Sequence, residues 1–182
     1  MVFKPQKLAL EIPQQIGSYK TFIDACCDFV GDFEPLASDF KRLSKFKLVI
    51  MELLTNAIKH HNEGAILELE TQEDHIIIKK TDKGRPFIFT DAISATPYSF
   101  PLTGIDKPKR VQALLGNNYK MDILIKGDNL IEFLEIPEVD YLSIQEVPEN
   151  FGLLVIRKCV TTFHYQFNTP AGENTFELML KF

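Results

Sequence analysis

Residues 51–61 read MELLTNAIKHH, and they lie late in a long pattern that predicts an amphipathic helix beginning near Ala37 or Ser38. Glu52, Asn56 and His60 are spaced four apart, so they share one side of this helix. Apolar side chains recur beside them at spacings of three and four, as in a helix with one buried face. These apolar residues are Leu48, Ile50, Leu53, Leu54, Ala57 and Ile58.

Glu52 and Asn56 offer carboxylate and carboxamide oxygens one helical turn apart. Such oxygens suit a hydrated magnesium ion. On spacing alone the alternative interpretation is a solvated helix face, because short motifs need a structural context before they indicate function. The helix is predicted to end at residues 62–64, where Gly64 can adopt a left-handed backbone.

The composition describes an ordinary globular chain of 182 residues, with 45% hydrophobic and 25% charged residues. This length suits one domain, expected over residues 1–182. A net charge of −5 argues against nucleic acid or an anionic membrane as the partner. The chain shows no apolar run that would span a bilayer and no signal-peptide pattern, and its three cysteines are typical of a reduced, cytoplasmic protein.

The remaining pattern predicts strands and helices that are partly segregated along the chain. We expect a strand over residues 7–12, a helix from Ser18 to Gly31, a hairpin over 65–81, a helix over 152–160 and a final hairpin over 162–182. This order predicts an α+β fold, a two-layer sandwich of a mixed, mainly antiparallel sheet packed under helices.

Residues 88–149 form the least regular segment and are interpreted as an insertion. Residues 94–108 carry three prolines and a glycine and are predicted to be a mobile loop, and residues 110–115 a short helix. Residues 121–125 and 130–136 predict a hairpin. Because an isolated hairpin is marginal in water, it must extend the domain's own sheet, which we favour, or contact a second subunit or partner.

The pattern Glu52-x-x-x-Asn56-Ala57-x-x-His60 resembles the N box of the GHKL ATPases, the superfamily that includes the histidine kinases. It is most similar to the anti-sigma-factor serine kinases, and the predicted order of elements is similar across most of the chain. The resemblance implies a histidine kinase-like ATP-binding domain in which Asn56 coordinates Mg²⁺, Glu52 is the general base and His60 belongs to the cofactor site.

Two further motifs carry the resemblance. Residues 81–87, TDKGRPF, resemble the G1 box, in which Asp82 would accept a hydrogen bond from the adenine amino group and Gly84 would let the backbone approach the base. Pro86 stands where the family has a second glycine. Residues 150–156 resemble the end of the G2 box, with Gly152 at the helix start facing phosphate and Asn150 in the place of an earlier glycine. A plain turn at Asp82 and a simple helix cap at Asn150 are the alternatives.

The resemblance implies an ATP-binding regulatory protein that phosphorylates or sequesters a protein partner of the sigma-factor or antagonist type. Residues 88–149 would then be an enlarged nucleotide lid, and Lys107, Lys109 and Arg110 are either phosphate contacts or a solvated loop. The alternative is a protein-interaction module that has lost ATP turnover. The replacement of two family glycines by Pro86 and Asn150 favours this alternative. A homodimer is one assembly consistent with either reading.

Overall fold

The computed structural model describes residues 4–31, 33, 36, 38–60, 64–115, 119–135 and 152–181. In this part of the chain, ten strands form one sheet and three α-helices accompany it. Every strand pair described is antiparallel, so the mixed sheet expected from the sequence is antiparallel here. The α+β class is confirmed, and the arrangement is consistent with a two-layer fold.

The elements follow one another along the chain with these bounds: β1 Lys7–Glu11, a 3-10 turn Ile16–Ser18, α1 Tyr19–Gly31, α2 Phe40–Lys59, β2 Ile66–Thr71, β3 His75–Lys83, β4 Ile88–Asp91, β5 Pro97–Ser99, β6 Lys109–Leu115, β7 Tyr119–Gly127, β8 Leu130–Phe133, α3 Gly152–Cys159, β9 Thr162–Asn168 and β10 Glu173–Lys181. Across the sheet the strand order is β1-β2-β3-β10-β9-β8-β7-β6-β4-β5. The last two strands in sequence therefore lie at the centre, between the first three and the inserted five.

Helix α2 is the long helix predicted from the sequence, and its start is fixed by Asp39. The Asp39 carboxylate accepts hydrogen bonds from the backbone N–H groups of Lys41 and Arg42, which would otherwise lack partners. The helix therefore begins two residues later than Ser38. Helix α2 ends at Lys59 with His60 as its C-cap, before the predicted end at residues 62–64. Residues 62 and 63 lie outside the described residues, and Gly64 has a φ of +69°.

One face of the sheet forms the core. Residues paired directly across an antiparallel ladder point to the same side, so the buried residues of neighbouring strands line up on that face. Buried side chains alternate along β3 and recur in register on β10 and β9: Ile78 pairs with Leu178, which pairs with Phe163. The same cluster takes in the buried stripes of α1, α2 and α3, and α2 contacts both other helices.

The five inserted strands, β4 to β8, extend this sheet. The predicted hairpin is confirmed as β7 and β8, and its extension of the domain's own sheet is confirmed because β8 pairs with β9. The short helix predicted at residues 110–115 is wrong. That segment is β6, with Val111, Ala113 and Leu115 buried at the two-residue period of a strand and paired along β7.

Residues 94–108 are also more structured than the predicted loop. They include β5, and three of their side chains are buried: Tyr98, Phe100 and Leu102. The ring of Phe100 lies 4.9 Å from that of Tyr165, and Tyr98 stacks on Phe89 at 5.2 Å. These aromatic contacts hold the segment against the core even though its prolines limit regular structure. Its described residues therefore do not form an open lid.

Candidate functional site

Two of the predicted motifs meet where the first residue of α3 crosses α2. A Cβ placed on Gly152 would lie 2.7 Å from Glu52 Oε2 and 3.2 to 3.3 Å from the amide atoms of Asn56. An added Cβ would therefore force the Glu52 carboxylate to shift, and glycine at this position leaves Glu52 and Asn56 where they are. The tertiary structure therefore brings Glu52, Asn56 and Gly152 together, although about a hundred residues separate them in sequence.

A cleft of about 520 Å³ opens beside this crossing, within the size range of small-molecule sites. Four of the predicted site residues line it: Asn56, His60, Asp82 and Gly84. Glu52 and Gly152 adjoin it through Asn56, and Asn150 lies outside the described residues. The remaining lining residues are Leu53, Lys80, Lys83, Arg85, Pro86, Phe87, Ile88, Leu153, Tyr165, Asn174 and Phe176.

The polar part of the cleft is built on β3. The two-residue strand period that buries Ile76 and Ile78 continues to Lys80 and Asp82, which therefore point to the same face. Lys80 Nζ donates to Asp82 Oδ2 at 2.7 Å, and the two side chains are only 3% and 2% exposed. Asp82 thus lies within strand β3, whereas the sequence predicted that it lies in the turn after the strand.

A chain of hydrogen bonds holds the second oxygen of Asp82. Asn174 on β10 is its partner in register, and Asn174 Nδ2 donates to Asp82 Oδ1 at 2.9 Å. Tyr165 Oη donates to Asn174 Oδ1 at 2.6 Å and accepts from the backbone N–H of Phe87 at 2.8 Å. Burial raises the pKa of Tyr165, which keeps its hydroxyl as a donor. The segment after Pro86 is therefore tied to the polar floor of the cleft.

Lys80, Tyr165 and Asn174 were not predicted as site residues. The sequence held one signal for them, which was the interruption of an apolar stripe. Ile76 and Ile78 are followed at the same period by a lysine and an aspartate. A buried charge needs a partner, so charged residues at two successive core positions indicate either an ion pair or a site.

The pKa values of Glu52 and His60, two turns apart on the polar side of α2, are shifted in opposite directions. Burial raises the pKa of Glu52, so its carboxyl holds a proton more readily than an exposed glutamate does. The pKa of His60 is lowered, first by partial burial and then by the neighbouring Lys80 cation. His60 is therefore a neutral imidazole near pH 7, able to accept as well as donate hydrogen bonds.

Asn56 and Glu52 are the residues at the crossing that could hold a magnesium ion together with a ligand. Asn56 and Glu52 supply oxygens, and the described residues contain no group of three or more His, Cys, Asp or Glu side chains that could cage a metal alone. Mg²⁺ usually takes one or two protein oxygens and completes its shell with water and substrate phosphates. Asn56, with Glu52 beside it, would hold the ion, which would neutralise phosphate charge there.

The basic side chains at the rim of the cleft and those of the insertion lie in different surroundings. Lys83 and Arg85 are exposed at the mouth of the cleft. The three basic residues considered as phosphate contacts are held elsewhere: Lys107 pairs with Asp128, Lys109 donates to the Tyr98 hydroxyl, and Arg110 pairs with Asp122. These contacts tie the insertion's cations to the inserted strands, and none of the three lines the cleft.

Neither a protein-family model nor any curated protein sequence matches this chain. Among the residues the structure describes, no helix is both long and apolar enough to cross a membrane.

Proposed function

We propose that this protein is a cytoplasmic, ATP-binding regulatory protein of the anti-sigma-factor serine kinase type, which binds Mg-ATP in the cleft and phosphorylates or sequesters a protein partner. The observation that carries the proposal is the convergence of three motifs distant in sequence. Asn56, Asp82 and Gly84 line one cleft, and Gly152 touches Asn56 at its edge.

The chemistry of the cleft supports a nucleotide. Its floor is a neutral ion pair surrounded by apolar and aromatic walls, which suits a base with polar edges and a flat face. Its rim carries Lys83 and Arg85, and the N-terminus of α3 lies next to Asn56. Cations and free backbone N–H groups favour phosphate, so base and phosphates each have a complementary region.

Glu52 is the residue we assign to proton transfer. Its carboxyl lies close to Gly152, and burial raises its pKa toward the range useful for a general base. It would accept the proton of an incoming serine hydroxyl or water, while Asn56 and the rim cations hold the phosphates.

A second function, nucleotide binding without turnover, is favoured by one observation. Most of the described inserted residues belong to strands of the sheet, and Lys107 and Arg110 pair with Asp128 and Asp122 of the same segment. Excluding water is part of how such sites accelerate transfer. In this reading the protein is an interaction module whose partner binding responds to nucleotide.

Titration calorimetry with ATP, with and without Mg²⁺, tests the proposal. Wild type should bind ATP in a Mg²⁺-dependent manner, and Asn56→Ala should weaken binding at least about tenfold. Thr55→Ala is the matched control, since Thr55 is the exposed neighbour whose hydroxyl bonds back to Met51 in the same helix. No binding at millimolar ATP, or equal affinity in Asn56→Ala, would overturn the assignment.

Glu52→Gln separates the two functions. If the protein turns over ATP, this variant should bind Mg-ATP as tightly as wild type but release phosphate at least about a hundredfold more slowly. Equal rates in wild type and variant, measured at saturating nucleotide, would remove Glu52 from the reaction. Wild-type binding without any hydrolysis or transfer would favour the interaction module.

A further inference from the structure

Lys80 has hydrogen-bonding capacity that the described protein residues do not use. A lysine ammonium has three N–H donors. One goes to Asp82 Oδ2, and the face of the Phe176 ring lies 5.6 Å from Nζ. Lys80 makes no other hydrogen bond within the described part of the chain, although its side chain is 97% buried and lines the cleft. Donors buried without acceptors are costly, so a ligand acceptor would be favoured there.

Asp82 retains capacity beside it. An ionised carboxylate offers about four lone-pair sites. Lys80 and Asn174 take one on each oxygen, which leaves room for a donor from the cleft. The floor of the cleft therefore presents a donor and an acceptor next to each other, fixed by the shared strand and by the Tyr165–Asn174 chain.

We propose that Lys80 is a specificity-determining residue that, together with Asp82, reads the edge of adenine, where the N1 acceptor lies next to the 6-amino donor. This inference rests on the proposed nucleotide site. On adenine, N1 would accept from Lys80 while the 6-amino group donates to Asp82. Guanine in the same orientation presents these groups in the opposite order, so its N1–H would face the Lys80 donor and its O6 would face the Asp82 acceptor. Reading of bases along this edge is an established mode of recognition.

Recognition by Lys80 and Asp82 together predicts a different ratio of GTP to ATP affinity than recognition by Asp82 alone. A lone carboxylate rejects guanine, because the acceptor O6 would face an acceptor, and the sequence therefore predicts that GTP binds at least about tenfold more weakly than ATP. With Lys80 present, guanine loses a second contact, because its N1–H faces a donor. Wild type should then bind GTP at least about a hundredfold more weakly than ATP.

The ligand-side experiment uses wild-type protein with Mg²⁺ and measures the Kd of ATP, GTP and 1-deaza-ATP, which lacks the N1 acceptor. 1-Deaza-ATP should bind at least about tenfold more weakly than ATP, because the Lys80 donor is left without a partner. If ATP binds and 1-deaza-ATP binds equally well, the inference is overturned while the proposed function stands. If no nucleotide binds, both are overturned.

Lys80→Met is the protein-side experiment. It should bind ATP and 1-deaza-ATP with equal affinity, and its preference for ATP over GTP should be at least about tenfold smaller than that of wild type. Lys79→Met is the matched control: Lys79 neighbours Lys80 on β3, but its alternate position leaves it about 41% exposed and paired with Glu68. The control should keep the wild-type ratios. Unchanged ratios in a folded Lys80→Met variant would also overturn the inference. The wild-type measurement decides the matter if that variant does not fold.

Discussion

The two halves of the sheet bury different kinds of side chain. The site half comprises the three helices with β1–β3, β9 and β10, and the inserted half comprises β4–β8. Among the described residues, every buried polar side chain belongs to the site half: Thr71, Lys80, Asp82, Arg157 and Asn174. The inserted half buries only apolar and aromatic groups and keeps its ion pairs at the surface.

Three of these five buried polar side chains, Lys80, Asp82 and Asn174, line the candidate cleft. Burying a polar group costs stability unless it is paired, so a fold retains such groups mainly where they serve a site or specify the structure. Of the inserted residues that the structure describes, only Ile88 lines the cleft. The five inserted strands therefore build and widen the core, while the cleft is made by the site half and the turn that follows β3.

The largest expected effect is on the inserted half. Phe133 is fully buried, and its ring lies 4.3 Å from that of Phe163 on β9 and 5.7 Å from that of Phe87. Phe133→Ala should lower the free energy of unfolding by about 3–5 kcal/mol. Urea denaturation followed by circular dichroism should still show one transition, because both halves share one core. Two separate transitions would mean that the halves unfold independently. Ile93→Ala, at a residue 84% exposed, is the control.

The next effect compares ion pairs in the two halves. Asp82→Asn should cost about 3 kcal/mol, because Lys80 remains buried without a counter-charge. Asp128→Asn breaks the surface pair with Lys107 and should cost at most about 1 kcal/mol. Thermal or urea unfolding of both variants measures the contrast, and similar losses in the two would contradict the distinction drawn between the halves.

A smaller effect on stability, coupled to a large one on binding, is expected at Gly152. In Gly152→Ala the new Cβ displaces the flexible end of Glu52, so stability should change by less than about 1 kcal/mol. Nucleotide affinity should fall at least about tenfold because Glu52 and Asn56 shift. Gly31→Ala is the control, since a Cβ at that helix end meets no atom within 4 Å. An unchanged affinity for Gly152→Ala would separate the helix crossing from the binding site.

The smallest effect is the pH dependence linked to His60. Its pKa is lowered in the folded state from 6.5, so the unfolded chain binds more protons just below that pH. Its contribution to stability is therefore complete above pH 6.5 and decreases as the pH falls toward the folded pKa. As the pH falls from 7.5 to about 5.5, the free energy of unfolding of His60→Gln should therefore rise relative to that of wild type. Chemical denaturation at several pH values measures this, and parallel curves for the two proteins would contradict it.

Much of the site half could be predicted because its signals are local. Asp39 to Lys59 has an apolar stripe and a cap, the first and last hairpins have alternation with a turn between, and α3 starts at a glycine. The inserted half was harder. The six residues at 110–115 fit both helix and strand periods over so short a span, and the prolines of 94–108 concealed the burial of Tyr98, Phe100 and Leu102.

The sequence by itself determined the α+β class, the face shared by Glu52, Asn56 and His60, and the glycine at the start of α3, because periodicity, capping and backbone freedom act over a few residues. Only the tertiary structure decided that the insertion extends the sheet, that α3 crosses α2 at Gly152, and that Asn174 holds Asp82. Those contacts join segments far apart in the chain. Strand register and helix packing set them, and no local pattern encodes either one.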